Sequence, residues 1–433
     1  MCQPLPVKPI KEMCLQRDEG KTGDTSRGLS DFSATLFLVG EVAGCGLLSF
    51  PWALSRTGWI GLPIIITFAG AAIYCATLLG RCWMIVSERH VSCGDQPVRH
   101  PYPLIGEVAF GKPCRQLISV CVNLTSCGSC VAYLLLVAQN LMTLFPGDST
   151  GYAFWLVTTA AVLCPFCWLG TPKDFWLIAI SAVLTTVLAS VVIVSQMLRD
   201  ASHVPPAFHG PVDFKSFLMA FGLLCFGFGG HQVFPTIQVD MQSPEKFGYS
   251  AAIGFSSVLC MYIPVAVIGY MIYGSNLQDN VLVSILPGPL QSIAMVLMSA
   301  HLLAAFVIIL NPVNQEMEDR FAVPNCFCVR RVLLRTVIVG VLLFVALSVP
   351  QFGAILALVG GSTMACLMFI IPTASYLKLS AMHGDWDSVE VPLHEKVLCV
   401  EIIVVGAVAG AAATYSALDA LTYSHFSRPL YLS

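Results

Sequence analysis

Long runs of apolar residues, nearly all free of Asp, Glu, Lys and Arg, alternate along the chain with short polar segments. A helix needs roughly 20 apolar residues to cross a bilayer, and it must satisfy its backbone hydrogen bonds internally. The run 336–377 is about twice that length and is interrupted at Ser348–Gly353, so it predicts two helices. The pattern predicts eleven membrane-spanning helices, at about 32–55, 58–84, 115–143, 152–171, 174–198, 215–241, 249–273, 289–313, 332–349, 352–378 and 396–420.

The amino-acid composition is that of a membrane protein. The 433 residues are 56% hydrophobic and 11% charged, with a mean hydropathy of +0.78. Soluble domains carry about 25% charged residues, so this chain cannot cover a water-facing exterior. That excludes a soluble enzyme, a disordered protein and a nucleic-acid-binding protein. Many of the 18 cysteines lie in apolar runs, where cysteine behaves as a small hydrophobe, so we expect no metal site. We predict an all-α integral membrane protein.

Positive charge is unevenly distributed between the connecting segments. If the N-terminus is cytoplasmic, only four of the 22 lysines and arginines lie on the opposite side, namely Arg56, Arg199, Lys215 and Arg428. Cytoplasmic segments are enriched in Lys and Arg, so the asymmetry predicts a cytoplasmic N-terminus. Residues 1–30 lack an apolar core and are predicted to be a cytoplasmic tail rather than a signal peptide. The plasma membrane and an endolysosomal or vesicle membrane remain alternatives.

The first and sixth predicted spans contain the same interruption. Gly44–Pro51 and Phe228–Pro235 share a glycine, a phenylalanine and a proline at identical spacing. Glycine lowers helix propensity, and proline removes a backbone donor and clashes with the preceding turn. Glycine and proline are common in membrane helices, but two breaks in register favour a functional explanation. Both segments predict unwound backbone at mid-membrane depth.

Unwound backbone inside a membrane is tolerated where it lines a cavity. Helix N-termini present N–H groups and partial positive charge that suit a carboxylate, and free carbonyls suit an amine or a cation. An amino acid carries both groups on one carbon. The paired breaks therefore predict an amino-acid site between two inverted repeats of five spans, followed by one extra span.

Four motifs resemble those of the amino acid/auxin permease family, within the APC superfamily, and the resemblance covers roughly residues 32–420. The motifs are Gly44–Ala53, Tyr102–Gly111 in the first cytoplasmic loop, Phe228–Met241 and Tyr262–Gly274. The resemblance implies the LeuT-type fold, a five-plus-five inverted repeat with discontinuous helices 1 and 6. The implied division is an N-terminal tail (1–30), two five-helix repeats (31–198 and 199–380), and an eleventh helix with a short C-terminal tail (381–433).

The resemblance also implies secondary active transport of amino acids, driven by protons or, in some branches, by sodium. It implies that both breaks contact the substrate, through Val42, Ala43, Gly44, Cys45 and Gly46, and through Phe226, Gly227, Phe228, Gly229 and Gly230. Sodium-coupled relatives are expected to carry a hydroxyl pair on the eighth span, but Ala304–Leu310 has neither Ser nor Thr. This departure favours protons, or no coupling, over sodium, and no cofactor is expected.

Four ionisable residues are candidates for coupling or gating. Glu41 is the only acid in the first span apart from its ends, and an ionisable group inside a membrane is costly enough to indicate a function. His231 lies beside the second break and His301 midway along the eighth span, with neutral packing histidines as the alternative. Asp240 ends the sixth span as a gate or a solvated charge. Asn123, on the third span, is a candidate cavity residue, with interhelical hydrogen bonding as the alternative.

The sequence contains no motif of hydrolases, kinases or ATP-driven pumps. We therefore expect a transporter rather than an enzyme: a symporter that moves small neutral amino acids with protons by alternating access. Two alternatives stay open, an uncoupled or exchange-type carrier of a vesicle or lysosome, and an amino acid sensor with little flux. The expected partners are an amino acid substrate and the lipid bilayer, with no nucleic acid. The expected functional unit is a monomer.

Overall fold

The computed structural model of the chain describes residues 28–90, 100–146, 151–168, 175–324, 327–384, 386, 389–423 and 430. Residues 1–27 of the predicted tail and Arg428 lie outside these ranges. Within them, regular structure is helical except for one isolated backbone bridge, between Leu29 and Met241.

Each predicted span coincides with a helix, or with two helices in the first and sixth spans. In chain order the helices are α1 (Asp31–Val42), α2 (Gly46–Thr57), α3 (Gly61–His90), α4 (Pro101–Phe110), α5 (Lys112–Leu144), α6 (Tyr152–Trp168), α7 (Phe175–Asp200), α8 (Phe214–Gly227), α9 (Phe234–Val239), α10 (Phe247–Tyr273), α11 (Val281–Ser284), α12 (Pro289–Arg320), α13 (Val329–Ser348), α14 (Phe352–Ser380) and α15 (Leu393–Tyr423).

Eight helical stretches of the described chain are long and apolar enough to cross a membrane, and α6 and α8 are shorter apolar helices. Several helices extend beyond their predicted ends. Helix α3 continues to His90 and α12 to Arg320, and both finish with polar turns. A helix ends where its backbone hydrogen bonding ends, so a search for charge-free runs underestimates its length.

The loop predicted at Tyr102–Gly111 is instead mostly helical. Helix α4 begins at Pro101, and proline suits a first helical turn because the backbone N–H there needs no intrahelical partner. The Tyr102 hydroxyl donates a 2.5 Å hydrogen bond to the carbonyl oxygen of Leu367 in α14. Gly111 has a φ of 87°, a left-handed conformation that suits glycine, and it turns the chain directly into α5.

The helices that flank the two interruptions pack together in the middle of the structure. Helix α10 packs against both α1 and α2, and α2 packs against α8. Helix α12 packs against α5 and α7. Large apolar side chains such as Leu188, Val404 and Val408 are exposed, as expected for a surface that faces lipid. The core therefore surrounds the interrupted helices, and the apolar exterior faces the membrane.

Helix α14 contains two π-helical turns, Gly360–Met364 and Cys366–Ile370. Gly360 packs against Gly222 of α8 so closely that a side chain at either position would collide with the backbone of the facing helix. Single π-turns are rare and frequently mark functional sites. Here they place Met364 beside the interrupted helices.

The segment that precedes α1 pairs with the segment that follows α9. The Leu29 amide donates to the carbonyl of Asp240 at 2.7 Å, and the Gln242 amide donates to the carbonyl of Leu29 at 2.9 Å. The Nζ of Lys246 lies 3.4 Å from Oδ2 of Asp31, at the start of α1. The outer ends of α1 and α9 are therefore joined.

Glu318, near the end of α12, is the centre of a buried ion-pair cluster. Its Oε1 accepts hydrogen bonds from Nε of Arg335 at 2.6 Å and from Nε of Arg331 at 3.0 Å, both on α13. Nη1 of Arg335 also donates to the carbonyl of Cys167 on α6 at 2.7 Å. Buried charges are tolerated when they are paired and hydrogen-bonded, and this cluster joins three helices.

Candidate functional site

The first interruption separates α1 from α2. Helix α1 ends at Val42 and α2 begins at Gly46, so residues 43–45 connect them without helical structure. The predicted break is therefore correct in place, but the part of its expected cause that rests on proline is wrong, because Pro51 lies inside α2. The unwound residues are those around the two glycines, where the backbone loses the most conformational entropy on becoming helical.

The second interruption separates α8 from α9. Helix α8 ends at Gly227, and α9 begins at Phe234 with Pro235 in its first turn. Gly230 has a φ of 154°, at the edge of the region that only glycine adopts readily. Here the proline starts a helix, a position that tolerates its missing N–H.

The two interruptions meet at a small cavity between α1, α2, α5, α8, α12 and α14. Its volume is about 20 Å³, room for about one water molecule, so in this conformation the helices leave too little space for an amino acid. The lining residues are Glu41, Val42, Gly44, Cys45, Gly46, Ser129, Tyr133, Phe226, Gly229, Gln232, Ile309 and Met364. Of the predicted substrate-contacting residues, Ala43, Gly227, Phe228 and Gly230 lie in or beside the breaks but do not line the cavity.

Glu41 contributes the only ionisable carboxylate of the cavity lining. Its side chain is half-buried, and among the described residues it makes no hydrogen bond or ion pair. The Oε1 of Gln232, from the second interruption, is buried and also lacks a hydrogen-bond partner there. Buried polar groups without partners are costly, so the Gln232 oxygen, which shares the cavity with the half-buried carboxyl of Glu41, can accept a hydrogen bond from a polar ligand.

His301 approaches the first interruption from α12. Its Nδ1 lies 3.2 Å from the Thr186 hydroxyl and 3.2 Å from the carbonyl of Ala182, both on α7. Its Nε2 faces Gly44, since a Cβ on that glycine would lie 3.5 Å from it. The Thr186 hydroxyl lies 3.1 Å from the carbonyl of Ala43. His301 therefore sits directly behind the unwound residues.

His231 and Asp240 lie away from the cavity. Nε2 of His231 lies 3.2 Å from the carbonyl of Ala72 on α3, and its ring packs against Phe234 and Phe255 at 4.7 and 5.9 Å between ring centroids. His231 is fully buried. Asp240 follows α9 with its side chain exposed, at the backbone bridge to Leu29.

Asn123 is not brought to the cavity. Its Nδ2 donates a 2.8 Å hydrogen bond to Oε2 of Glu316 near the end of α12. The side chains of α5 that do line the cavity are Ser129 and Tyr133, from later turns of the same helix. Asn123 therefore joins two helices, which is the alternative role that the sequence leaves open.

Phe228 belongs to an aromatic cluster beside the second interruption. Its ring lies 5.1 Å from Phe50, 6.0 Å from Phe68 and 5.9 Å from Tyr262, measured between centroids. A side chain on Gly227 would collide with the Phe50 ring. These contacts fix the end of α8 against α2.

The sequence pattern of the transmembrane amino acid transporter protein family matches residues 27–418. The chain belongs to this family. Amino acid transporter AVT1E of Arabidopsis thaliana is 28% identical over 417 residues, which cover 92% of this chain and 75% of that protein. Amino acid transporter AVT1J of the same plant is 29% identical over 444 residues, which cover 96% of this chain and 97% of that protein. The protein is thus a membrane transporter of amino acids and not an enzyme.

Solved structures show the same architecture at low sequence identity. A mutant of the Eremococcus coleocola manganese transporter superposes with a TM-score of 0.59 at 13% identity, covering 92% of this chain and 90% of that one. The same transporter in complex with an aromatic bis-isothiourea compound gives a TM-score of 0.59 at 12% identity, covering 93% and 89%. These likenesses establish the fold, an all-helical membrane protein of the LeuT type.

Proposed function

We propose that this protein is a secondary active transporter that moves small neutral amino acids with protons by alternating access. The observation that carries the proposal is the meeting of both helix interruptions at a cavity that contains the unpaired carboxylate of Glu41. Free backbone groups of both polarities and a single protonatable side chain are what a zwitterion and a proton require.

The proposed substrate orientation follows from the helix ends. The N-terminal end of α2, at Gly46, offers backbone N–H groups and partial positive charge to the substrate carboxylate. The ammonium group then faces oxygen atoms of the cavity lining, among them the unpartnered Oε1 of Gln232. Phe226, Ile309 and Met364 restrict the remaining space with apolar groups, which favours a small uncharged side chain. Because the cavity has a volume of only about 20 Å³, binding requires these helices to separate.

The proposed proton carrier is Glu41, with His301 as a second group behind Gly44. Glu41 lines the cavity, so its proton and the bound substrate lie side by side there. Both can then cross the membrane in the same conformational change. His231 contacts α3 instead, and Asp240 is exposed, so we assign coupling to neither. The absence of hydroxyl side chains in Ala304–Leu310 favours protons over sodium.

The proposed topology has eleven crossings, with residues 31–198 and 199–380 as inverted repeats and an eleventh helix, α15, in 381–433. In this arrangement α1 and α2 form one crossing, α8 and α9 another, and the N-terminal tail 1–30 is cytoplasmic. The distribution of Lys and Arg supports this orientation. The functional unit is proposed to be a monomer, in the plasma membrane or in an endolysosomal or vesicle membrane.

The decisive experiment is uptake of labelled small neutral amino acids into proteoliposomes, with and without an imposed pH gradient and with choline in place of sodium. We expect accumulation that follows the pH gradient and ignores sodium. Uptake that ignores the pH gradient would support an exchange-type carrier, and binding without uptake would support a sensor. Folded protein that neither binds nor moves any amino acid would overturn the proposal.

The Glu41→Gln variant tests the coupling role. It keeps the size of the side chain but replaces the carboxyl by an amide that cannot bind or release a proton. We therefore expect the variant to lose pH-driven accumulation and to retain exchange of internal for external substrate. Glu107→Gln is a matched control, because Glu107 forms an ion pair with Arg115 outside the cavity, with Nη1 and Oε2 2.5 Å apart. Equal responses of the two variants would contradict the role of Glu41.

A further inference from the structure

Tyr262, on α10, touches both interruptions with one hydroxyl group. Its Oη lies 2.8 Å from the carbonyl oxygen of Val42, the last residue of α1, and 3.3 Å from that of Gly227, the last residue of α8. Two helix C-termini therefore converge on the same side-chain oxygen.

The hydroxyl is held rigidly in this position. Tyr262 is fully buried, and its ring packs against Phe50 with the centroids 4.5 Å apart. A Cβ on Gly46 would lie 2.5 Å from the Tyr262 Oη and 2.8 Å from the Cα of Gly227. The two interruptions and the hydroxyl thus form a contact that leaves no room for another group.

The electrostatics of this contact call for positive charge. Each helix C-terminus carries about half a negative elementary charge, and free carbonyls at such ends are ligands for monovalent cations. Here both carbonyls face the O–H dipole of a neutral tyrosine. The hydroxyl is the donor that lies within reach of both carbonyls, and the Val42 carbonyl also accepts a 2.9 Å hydrogen bond from the Gly44 amide.

We propose that the Tyr262 hydroxyl stands in the place of a monovalent cation, and that it holds the ends of α1 and α8 together without any bound ion. Tyr262 is then a positioning residue, because it acts through the backbone of the two interruptions rather than on the substrate. The proposal deepens the proposed function, since it gives a structural reason for transport that is independent of sodium. It also predicts that removing the hydroxyl creates a requirement for a cation.

The test uses the full chain in nanodiscs and compares Tyr262→Phe and Tyr262→Ser with wild type. We measure the thermal unfolding midpoint in sodium, lithium or choline chloride at equal ionic strength. Wild type is expected to unfold at the same temperature in all three salts. Both variants are expected to unfold several degrees lower in choline and to regain part of that loss in sodium or lithium, with the larger gain in Tyr262→Ser, which leaves more room for an ion.

Tyr270 provides the matched control. It lies on the same helix, is buried, and packs against Trp59 and His209, but its hydroxyl makes no hydrogen bond among the described residues. Tyr270→Phe and Tyr270→Ser are expected to show no cation dependence. If the Tyr262 variants respond to the salts as the Tyr270 variants do, or if wild type itself is stabilised by sodium over choline, the proposal is overturned.

Uptake gives a second readout. In choline, the uptake rate of Tyr262→Phe is expected to be about tenfold lower than that of wild type, and sodium is expected to restore part of it. Tyr270→Phe is expected to keep the wild-type rate. Wild-type uptake by Tyr262→Phe in choline would also overturn the proposal. The unfolding measurement needs no transport, so a failure of the proposed function leaves the cation test intact and the two failures are distinguishable.

Discussion

The Thr186 hydroxyl lies 3.1 Å from the carbonyl oxygen of Ala43, across 143 positions of sequence. Ala43 belongs to the unwound residues between α1 and α2, where a carbonyl has no helical partner. The same hydroxyl contacts Nδ1 of His301 at 3.2 Å. Helices α7 and α12 therefore both contact the first interruption.

Replacing Thr186 by Val should impair transport. The substitution preserves shape but removes the hydroxyl that lies 3.1 Å from the Ala43 carbonyl and 2.9 Å from that of Ala182, and a buried polar group that loses its partner costs about 1–3 kcal/mol. We expect roughly a tenfold loss of uptake with a lower unfolding temperature. Thr185→Val is the control, because that hydroxyl bonds only carbonyls of its own helix, at Ser181 and Ala182. Similar losses of uptake and stability in both variants would contradict a specific role of the Thr186 hydroxyl at the first interruption.

Gly46→Ala should abolish most transport. The added methyl would lie 2.5 Å from the Tyr262 hydroxyl and 2.8 Å from the Cα of Gly227, so the two interruptions must move apart. Overpacking of this kind costs about 1–3 kcal/mol.

Gly70→Ala serves as the control, because a Cβ there meets nothing within 4 Å. Gly70 lies inside α3, where alanine is favoured over glycine by about 1 kcal/mol, so this variant should be at least as stable as wild type. Uptake and thermal unfolding of both variants check the prediction, and a fully active Gly46→Ala protein would contradict it.

Glu318→Gln should destabilise the fold. Removing the acid leaves Arg331 and Arg335 without the carboxylate that both share, and breaking a buried pair costs about 3–5 kcal/mol. Glu107→Gln removes an ion pair with Arg115 whose side chains are 25% and 50% exposed, and such pairs contribute about 0–1 kcal/mol. Chemical unfolding in detergent should separate the two variants clearly, and comparable unfolding midpoints would refute the assignment.

Asp279 and Asp213 should give pH dependences of opposite sign. Burial raises the pKa of Asp279, which lies in the segment between α10 and α11. Its folded form then binds a proton more tightly than its unfolded form, so its contribution to stability grows as pH falls through the folded pKa and is lost as pH rises. The backbone hydrogen bond from Ser216 lowers the pKa of Asp213, so its stabilisation is present above the unfolded pKa and is lost in acid.

Thermal unfolding from pH 7 to pH 3 checks this pair of predictions. On acidification, wild type should gain stability when compared with Asp279→Asn and lose it when compared with Asp213→Asn. In the Asp279→Asn variant the side-chain carbonyl can still accept the 2.9 Å hydrogen bond from the Gly353 amide, whereas the bond from the Asn280 amide is lost, and because that loss does not depend on pH the slope with pH reports the charge. The same slope for both variants would be inconsistent with these shifts.

The spans and the interruptions can be predicted from the sequence because each depends on local properties. Membrane-crossing helices need long apolar runs, and the closely spaced glycines around Gly44 and Gly230 mark where helices fail. The proline contribution is wrong for Pro51, since its consequence depends on whether the preceding residues are helical at all. Helix α4 is missed because, at 10 residues, it is too short to stand out as a membrane-spanning run.

The residues around the interruptions are harder to predict. Thr186 and Tyr262 contact the interruptions from helices distant in sequence, and Gln232 of the second interruption lines the same cavity as the first. When both faces of a membrane helix are apolar, hydrophobicity does not reveal which face points to the cavity. The sequence therefore could not show that Asn123 points away from the cavity. A polar side chain within an apolar helix, such as Thr186, is the one available signal.

The bridge at Leu29 constrains how this protein opens. The backbone hydrogen bonds of Leu29 with Asp240 and Gln242 join the start of α1 to the segment that follows α9, so movement of either helix on that side requires movement of the other. A covalent cross-link between positions 29 and 241 would therefore immobilise both helices together.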